Sequence, residues 1–225
     1  MLYKATLVIY DSTRPGVLLE ETDGCDTLPY VEVAVSEPGI VAPLNVAVQE
    51  RFGLDVITLR YVPTGRSRAD DSVDAVFFME TRDRLDASVS GGRWVGRGEI
   101  SGIEFERTAG PHVESFMRDV SSDGQVHPLR AEWAKAGWFR DIAAWIEATL
   151  ERSGYALTGR VEQVRHWSIS SIARVPTVRG DIWFKAVPPF FAHEGALMRL
   201  LGESSTQVPT LVATDPDRGW ILMEA

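Results

Sequence analysis

The stretch Trp183–Glu194, which reads WFKAVPPFFAHE, contains a strand, a break and the start of a helix. Residues 182–187 are mostly β-branched or aromatic and follow the turn signal Arg-Gly-Asp, which predicts a buried strand. Because side chains alternate along a strand, Lys185 is expected to share the core-facing side with Trp183 and Val187. A lysine on a buried face needs a charged partner.

A helix is predicted after the two prolines, over about residues 190–201, with Gly202 as its cap. Leucine or methionine recurs three, four and seven residues after Glu194, so its carboxylate is expected on the apolar face of this helix. We therefore predict an ion pair between Lys185 and Glu194. The alternative is that both are surface residues that extend their charged ends into water.

Two more strands are predicted at 208–214 and 220–224, on either side of a turn that reads DPDRG. The order hairpin, helix and two strands, with the segments WFKAVPP–E, VPTLVATD and RGWILME, resembles the N-terminal lobe of aminoglycoside phosphotransferase-like kinases. The resemblance covers about residues 137–225. It implies an ATP-dependent small-molecule phosphotransferase with ATP and magnesium as cofactors, and with a nucleotide and a small-molecule acceptor as partners.

The same resemblance implies a set of nucleotide contacts. In such kinases a strand lysine holds the α- and β-phosphates, a helix glutamate orients the lysine, a hairpin loop covers the phosphates, and the end of the last strand meets the adenine. The loop here lacks the glycines of protein kinases, so an ordinary polar hairpin is the alternative. The implied nucleotide-binding residues are Lys185, Glu194, Ser168, Ser170, Ser171, Met223, Glu224 and Ala225.

The resemblance stops before the part of that family that carries catalysis. The family's catalytic loop, a His-Gly-Asp followed by an Asn, and its metal-binding Asp belong to a second lobe, and the sequence holds neither. We therefore expect no catalytic residue and no metal ligand in this chain, and phosphoryl transfer only in a longer kinase. Such a lobe on its own is expected to expose apolar side chains near Met223 and the helix of Glu194, and to self-associate through them.

Residues 1–120 predict a separate α+β domain, with strands at about 3–10, 17–21, 56–62 and 73–80. A helix is predicted over residues 41–52, ending at Gly53. The order of these elements, with the sequence ERFGL at the helix end, resembles a small Nudix-like α/β/α domain. The chain is thus predicted to be α+β, with a Nudix-like domain at 1–120, a linker at 121–136 and the kinase-like lobe at 137–225.

The Nudix resemblance is degenerate in the helix that carries the family's metal ligands. Aligned on Gly53, the chain keeps Glu50, but Val46 and Ala47 stand where the family has Arg and Glu, and Arg51 replaces a second helix glutamate. Magnesium needs several oxygen ligands, which one glutamate cannot supply. Nudix hydrolase activity is therefore not expected. The alternative to the kinase is a non-catalytic nucleotide- or partner-binding module built on this domain.

Composition excludes several functional classes. Acidic residues outnumber basic ones by 32 to 23, for a net charge of −9, which disfavours nucleic acid as a partner. Cys25 is the single cysteine, so neither an internal disulfide nor a cysteine metal site is expected. No apolar run reaches the ~20 residues of a membrane span, and no signal peptide is visible. These features predict a soluble, cytoplasmic protein without a membrane partner.

Overall fold

The computed structural model describes residues 1–13, 16–22, 24–82, 89, 91–100, 102–103, 105, 109–120, 127, 130–205 and 207–224. The chain divides into two compact units, which we call unit 1 (Met1–Arg130 with Ala134–Gly137) and unit 2 (Ala131–Trp133 with Trp138–Ala225). The predicted α+β class is confirmed. Most of residues 121–129 lie outside the described residues, so the linker at 121–136 stays a prediction.

Unit 1 is built from a mixed sheet and helices. Its strands are β1 (Leu2–Asp11), β2 (Gly16–Thr22), β3 (Cys25–Thr27), β4 (Tyr30–Ala34), β5 (Val56–Ser67), β6 (Ser72–Thr81) and β7 (Gly92–Gly96). Its helices are α1 (Ala42–Phe52), α2 (Arg97–Ile100) and α3 (Gly110–Val120). The sheet runs in the order β3-β2-β1-β6-β5, with β4 beside β1 and β7 beside β2. The β1–β6 pair is parallel, and the other pairs are antiparallel.

Strand β1 separates the two faces of this sheet by strict alternation. Its odd-numbered residues from Tyr3 to Ile9 are buried in one apolar cluster with Leu44, Val48 and Phe52 of α1. Helix α1 therefore covers this first face of the sheet. The helix ends where the sequence predicts, because Gly53 adopts a left-handed conformation and donates its N–H to the carbonyl of Gln49.

Helix α3 covers part of the second face. Its Phe116 stacks on Phe78 of β6 at 4.8 Å between ring centroids and meets the edge of Tyr10 of β1 at 5.7 Å. Lys4 and Thr6, nearer the start of β1, project from the same face by alternation and are only partly buried. Unit 1 is thus a helix–sheet–helix sandwich whose second face is open at the Lys4 end.

Unit 2 consists of an antiparallel sheet with helices. Its strands are β8 (Glu162–His166), β9 (Ser171–Thr177), β10 (Gly180–Ala186), β11 (Thr210–Asp215) and β12 (Trp220–Glu224), in the order β11-β12-β10-β9-β8. Helix α4 (Trp138–Ser153) precedes the sheet, and α5 (Glu194–Gly202) lies between β10 and β11 in the chain. Phe184 of β10 contacts Trp138 and Trp145 of α4 and Trp220 of β12, at 6.1–6.2 Å between ring centroids.

The predicted core-facing side of β10 is wrong. Ile182, Phe184 and Ala186 are buried, whereas Trp183 and Lys185 are only partly buried. Both faces of this strand carry apolar residues, so the sequence pattern does not determine which face is buried. The face of Phe184 is the buried one, because Phe184 packs among the tryptophans of α4 and β12. Lys185 therefore lies on the opposite face, where water reaches it.

The predicted apolar face of α5 is buried only in part. Met198 is buried as predicted, but Leu197 and Leu201 of the same face are 46–48% exposed, and Gly195 is the other buried residue of the helix. Helix α5 approaches β11 so closely that a Cβ on Gly195 would lie 2.7 Å from the hydroxyl oxygen of Thr214. The glycine side thus makes the contact, and the leucines face outward.

No helix among the described residues is long and apolar enough to cross a membrane.

Candidate functional site

A cavity of about 640 Å³ lies on the open part of the second face of unit 1. Lys4 and Thr6 of β1, Tyr30 of β4 and Asp74 of β6 line it, because these residues project from that face of neighbouring strands. Further parts of the wall come from Thr64 and Gly65 of β5, from the β2–β3 hairpin and from the segment before α3. The hairpin and that segment contribute Thr22, Cys25, Asp26, Thr27, Phe105 and Ala109.

Ion pairs hold two of the charged residues at the cavity. Lys4 Nζ lies 2.8 Å from Asp70 Oδ2, and the guanidinium of Arg93 lies 2.5 Å from Asp26 Oδ2. The hydrogen bond to Asp70 raises the pKa of Lys4, and the nearby carboxylate of Asp74 acts in the same direction. Hydrogen bonds from Lys4 and two serines hold the pKa of Asp70 well below its usual value. Lys4 and Asp26 therefore keep their charges near neutral pH.

Asp74 is the third charged residue that the described part of the cavity wall contains. It sits opposite Lys4 in the parallel β1–β6 register and is exposed. Within the part of the chain that the structure describes, Asp74 forms no ion pair. Four threonine hydroxyls and Phe105 surround the same space, so the cavity combines hydrogen-bonding groups, an aromatic ring and one free carboxylate. Those threonines are Thr6, Thr22, Thr27 and Thr64.

Helix α1 carries a single carboxylate, Glu50. Arg51, at the position of a family glutamate, donates to the carbonyl of Tyr30 and to Glu20 Oε1 at 2.7 Å. The residue thus ties α1 to β4 and β2. Glu50 is exposed, and among the described residues no group of three or more histidine, cysteine, aspartate or glutamate side chains could hold a metal ion.

In unit 2 the predicted pairing of Lys185 and Glu194 is confirmed. Lys185 Nζ lies 2.5 Å from Glu194 Oε1, and the two side chains are 24% and 31% exposed. Glu194 is the first residue of α5, so the pair joins the middle of the sheet to the start of this helix. The pair is nevertheless not buried, contrary to the predicted core-facing positions.

The other predicted nucleotide-binding residues lie in different local environments. Ser168 is exposed, whereas Ser170 and Ser171 are buried in the β8–β9 turn, where the carbonyl of Ser170 accepts the Trp167 N–H at 2.9 Å. Met223 and Glu224 end β12, and the Glu224 carboxylate accepts a hydrogen bond from Tyr155. Ala225 lies outside the described residues. The nucleotide-binding role of these residues stays a prediction.

Sequence reasoning missed the cavity of unit 1. Its only local signal is the pair of polar residues Lys4 and Thr6, which alternate with apolar residues in β1. Their partners are distant in the chain: Asp70 lies 66 residues from Lys4. Pattern reading assigns such residues to a solvated strand face, and only the register of β1 with β6 brings Asp74 beside them.

Comparison with known proteins gives distant likenesses. No protein-family model matches the chain. It is 25% identical to the pyridoxal 5'-phosphate synthase subunit PdxT of Mycobacterium ulcerans (strain Agy99) over 191 residues, which cover 75% of this chain and 90% of that protein. This level of identity does not assign the chain to a family.

Similar solved structures cover about half of the chain. A MutT protein from Methanosarcina mazei Go1 matches with a TM-score of 0.40 and 16% identity, over 52% of this chain and 94% of that one. A putative oxidoreductase from Sinorhizobium meliloti 1021 matches with a TM-score of 0.38 and 16% identity, over 52% of this chain and only 38% of that one. These likenesses concern the fold alone and carry nothing about activity or ligand.

The kinase-like interpretation of residues 137–225 is wrong. The solved structures similar to the chain are mostly Nudix and MutT proteins, not kinases. The transferase, phosphotransferase and ATP-binding functions implied by that resemblance are therefore not supported. The ion pair that suggested them has a simpler cause. Lys185 and Glu194 are nine residues apart, and any β-strand followed by a helix packed on its sheet can bring two such residues together.

Proposed function

We propose that unit 1 is a binding module that holds a small molecule in its cavity without hydrolysing it. The observation that carries this proposal is the cavity itself. Its volume of about 640 Å³ falls within the ~300–1,000 Å³ of small-molecule sites. Its wall has similar amounts of polar and apolar surface, with Tyr30 and Phe105 as aromatic rings and several threonine hydroxyls as hydrogen-bonding groups.

The helix that would carry metal ligands supports a non-catalytic role. Hydrolysis of a diphosphate by a Nudix-like domain depends on helix carboxylates that hold magnesium, and magnesium prefers several oxygen ligands. Here Arg51 takes one of those positions and ties α1 to β2 and β4. An arginine engaged in this way adds positive charge where a cation would bind. The degenerate Nudix-like sequence pattern and this contact support the same conclusion.

A binding screen on the whole chain tests the proposal. Nucleosides, nucleotides and small amines are screened by thermal shift, and each hit is titrated by calorimetry. We expect a hit to lose binding in Thr6→Trp, because the indole fills the cavity, and to keep it in Thr210→Trp, a matched change on an exposed strand position of unit 2. Equal binding to both variants would place the site elsewhere.

Turnover is measured in parallel with nucleoside diphosphate derivatives and magnesium. We expect none above background, and no difference between the protein and its Glu50→Gln variant. Magnesium-dependent hydrolysis that disappears in Glu50→Gln would refute the non-catalytic part of the proposal.

A further inference from the structure

We infer that the cavity of unit 1 is selective for a small organic cation, whose protonated nitrogen pairs with the Asp74 carboxylate. This inference rests on the proposed binding function and specifies its ligand class. It follows from how the charged residues of the cavity wall are paired, and from how the strand next to Asp74 leaves that carboxylate accessible.

The positive charge at the cavity is already neutralised. Among the described residues of the wall, Lys4 is the one basic residue, and its ammonium lies 2.8 Å from the carboxylate of Asp70. Asp74 and Glu32 add further negative potential at the same lysine, since both act to raise its pKa. An anionic ligand group would have to compete with Asp70 for Lys4 while facing the other carboxylates. A phosphate or carboxylate ligand is therefore disfavoured.

The negative charge of the wall is only partly neutralised. Asp26 is paired with Arg93 through two hydrogen bonds, at 2.5 and 3.1 Å. Asp74, by contrast, has no ionic partner within the described ranges of the chain. The charged residues of the wall that the structure describes, counted with their partners, therefore sum to one negative charge, which lies on Asp74. A protonated nitrogen is the ligand group that would neutralise it.

The neighbouring strand keeps Asp74 open to the cavity. Gly65 of β5 stands opposite Asp74 in the antiparallel register, and a Cβ there would lie 3.0 Å from Asp74 Oδ2. Any larger side chain at this position would press on the carboxylate. Thr64, the preceding residue, lines the same cavity.

Cys25 provides a direct test, because it is the single cysteine, is exposed and lines the cavity. The probes are cationic trimethylammonioethyl methanethiosulfonate and anionic sulfonatoethyl methanethiosulfonate. Their labelling rates at Cys25 are measured at low salt, where screening is weak. The cation-to-anion rate ratio is divided by the same ratio for mercaptoethanol, which removes the intrinsic difference between the reagents. We expect the normalised ratio to exceed one.

Single substitutions test which residues cause the preference for the cationic probe. Asp74→Asn is expected to lower the ratio by about fivefold, the size of effect that one charge exerts across ~8 Å of water on probes of opposite sign. Lys4→Met is expected to raise the ratio. Asp217→Asn, an equally conservative change on an exposed turn of unit 2, should leave it unchanged.

The outcomes separate this inference from the proposed function. A normalised ratio at or below one, or a ratio insensitive to both Asp74→Asn and Lys4→Met, would overturn the cation selectivity even if the cavity binds ligands. A ratio that behaves as expected while Thr6→Trp leaves the binding of every hit intact would overturn the proposed function, and the inference with it.

Discussion

Removing the Lys185–Glu194 pair should destabilise unit 2 by a modest and measurable amount. The single changes Lys185→Met and Glu194→Gln and the double change form a cycle that isolates the free energy of pairing. An exposed ion pair contributes ~0.2–1 kcal/mol, whereas breaking a buried pair costs ~3–5 kcal/mol. Because a quarter to a third of each side chain is exposed despite the 2.5 Å contact, we expect a coupling of about 1 kcal/mol, near the exposed limit.

The measurement can be made on unit 2 within the whole chain. Six of the seven tryptophans lie in unit 2, so tryptophan fluorescence during thermal unfolding reports mainly on this unit. For a unit of this size, 1 kcal/mol corresponds to a shift of ~4–8 °C in the unfolding midpoint. The coupling should shrink as salt is added, because the pair is partly open to water.

A second cycle on Arg218 and Asp215 serves as the control. These residues approach only to 3.6 Å, and the arginine is 57% exposed, so their coupling should be smaller. A coupling for Lys185 and Glu194 no larger than that of the control pair would contradict the contact. A coupling of ~3 kcal/mol or more would contradict the partial exposure, and the pair would then have to be treated as buried.

Three further predictions concern unit 2. Gly219→Ala should destabilise it by clearly more than the ~1–2 kcal/mol expected for Gly154→Ala, as chemical denaturation would show. Both glycines have positive φ, but only at Gly219 would a Cβ lie 2.3 Å from a backbone oxygen, and equal costs would contradict that clash. Burial lowers the pKa of His166 from 6.5 to about 4, so between these values the unfolded chain binds a proton that the folded one does not. The free energy of unfolding should therefore fall as pH drops from 6.5 to 4, by up to ~1.4 kcal/mol per pH unit. His166→Phe should make the free energy less dependent on pH in this range. His193→Asn, a change at an exposed histidine, serves as the control and should leave the pH dependence unchanged. The exposed leucines of α5 predict self-association, which Leu200→Lys should weaken in sedimentation velocity; a wild-type monomer at all concentrations would contradict it.

The sequence alone determines much of the local structure. The helix of residues 42–52 with its end at Gly53, and the strand-forming run before the two prolines, follow from periodicity and turn chemistry. The pairing of Lys185 with Glu194 also follows, because a strand and the next helix meet within a few residues. That α1 carries a single carboxylate, Glu50, can likewise be read from the residue types alone.

The kinase-like interpretation shows where such local reasoning fails. Kinase-type sites use an ion pair between a strand lysine and a helix glutamate. Here the two residues are only nine positions apart in the sequence, and an ion pair of this kind is compatible with other folds. Residues close in the chain can be predicted to meet, whereas the identity of a fold depends on which distant elements pair. The same local pattern therefore does not carry the function that it has in another protein.

Tertiary packing decides which faces are buried and where the cavity lies. The Phe184 side of β10 is buried because Phe184 packs against the tryptophans of α4. The Gly195 side of α5 faces β11 because a glycine, which has no side chain, allows the close contact. The cavity depends on the parallel register that sets Asp74 beside Lys4, and on α3 covering only part of that face. Such contacts join residues far apart in the chain, and their free energy is absent from any local stretch of sequence.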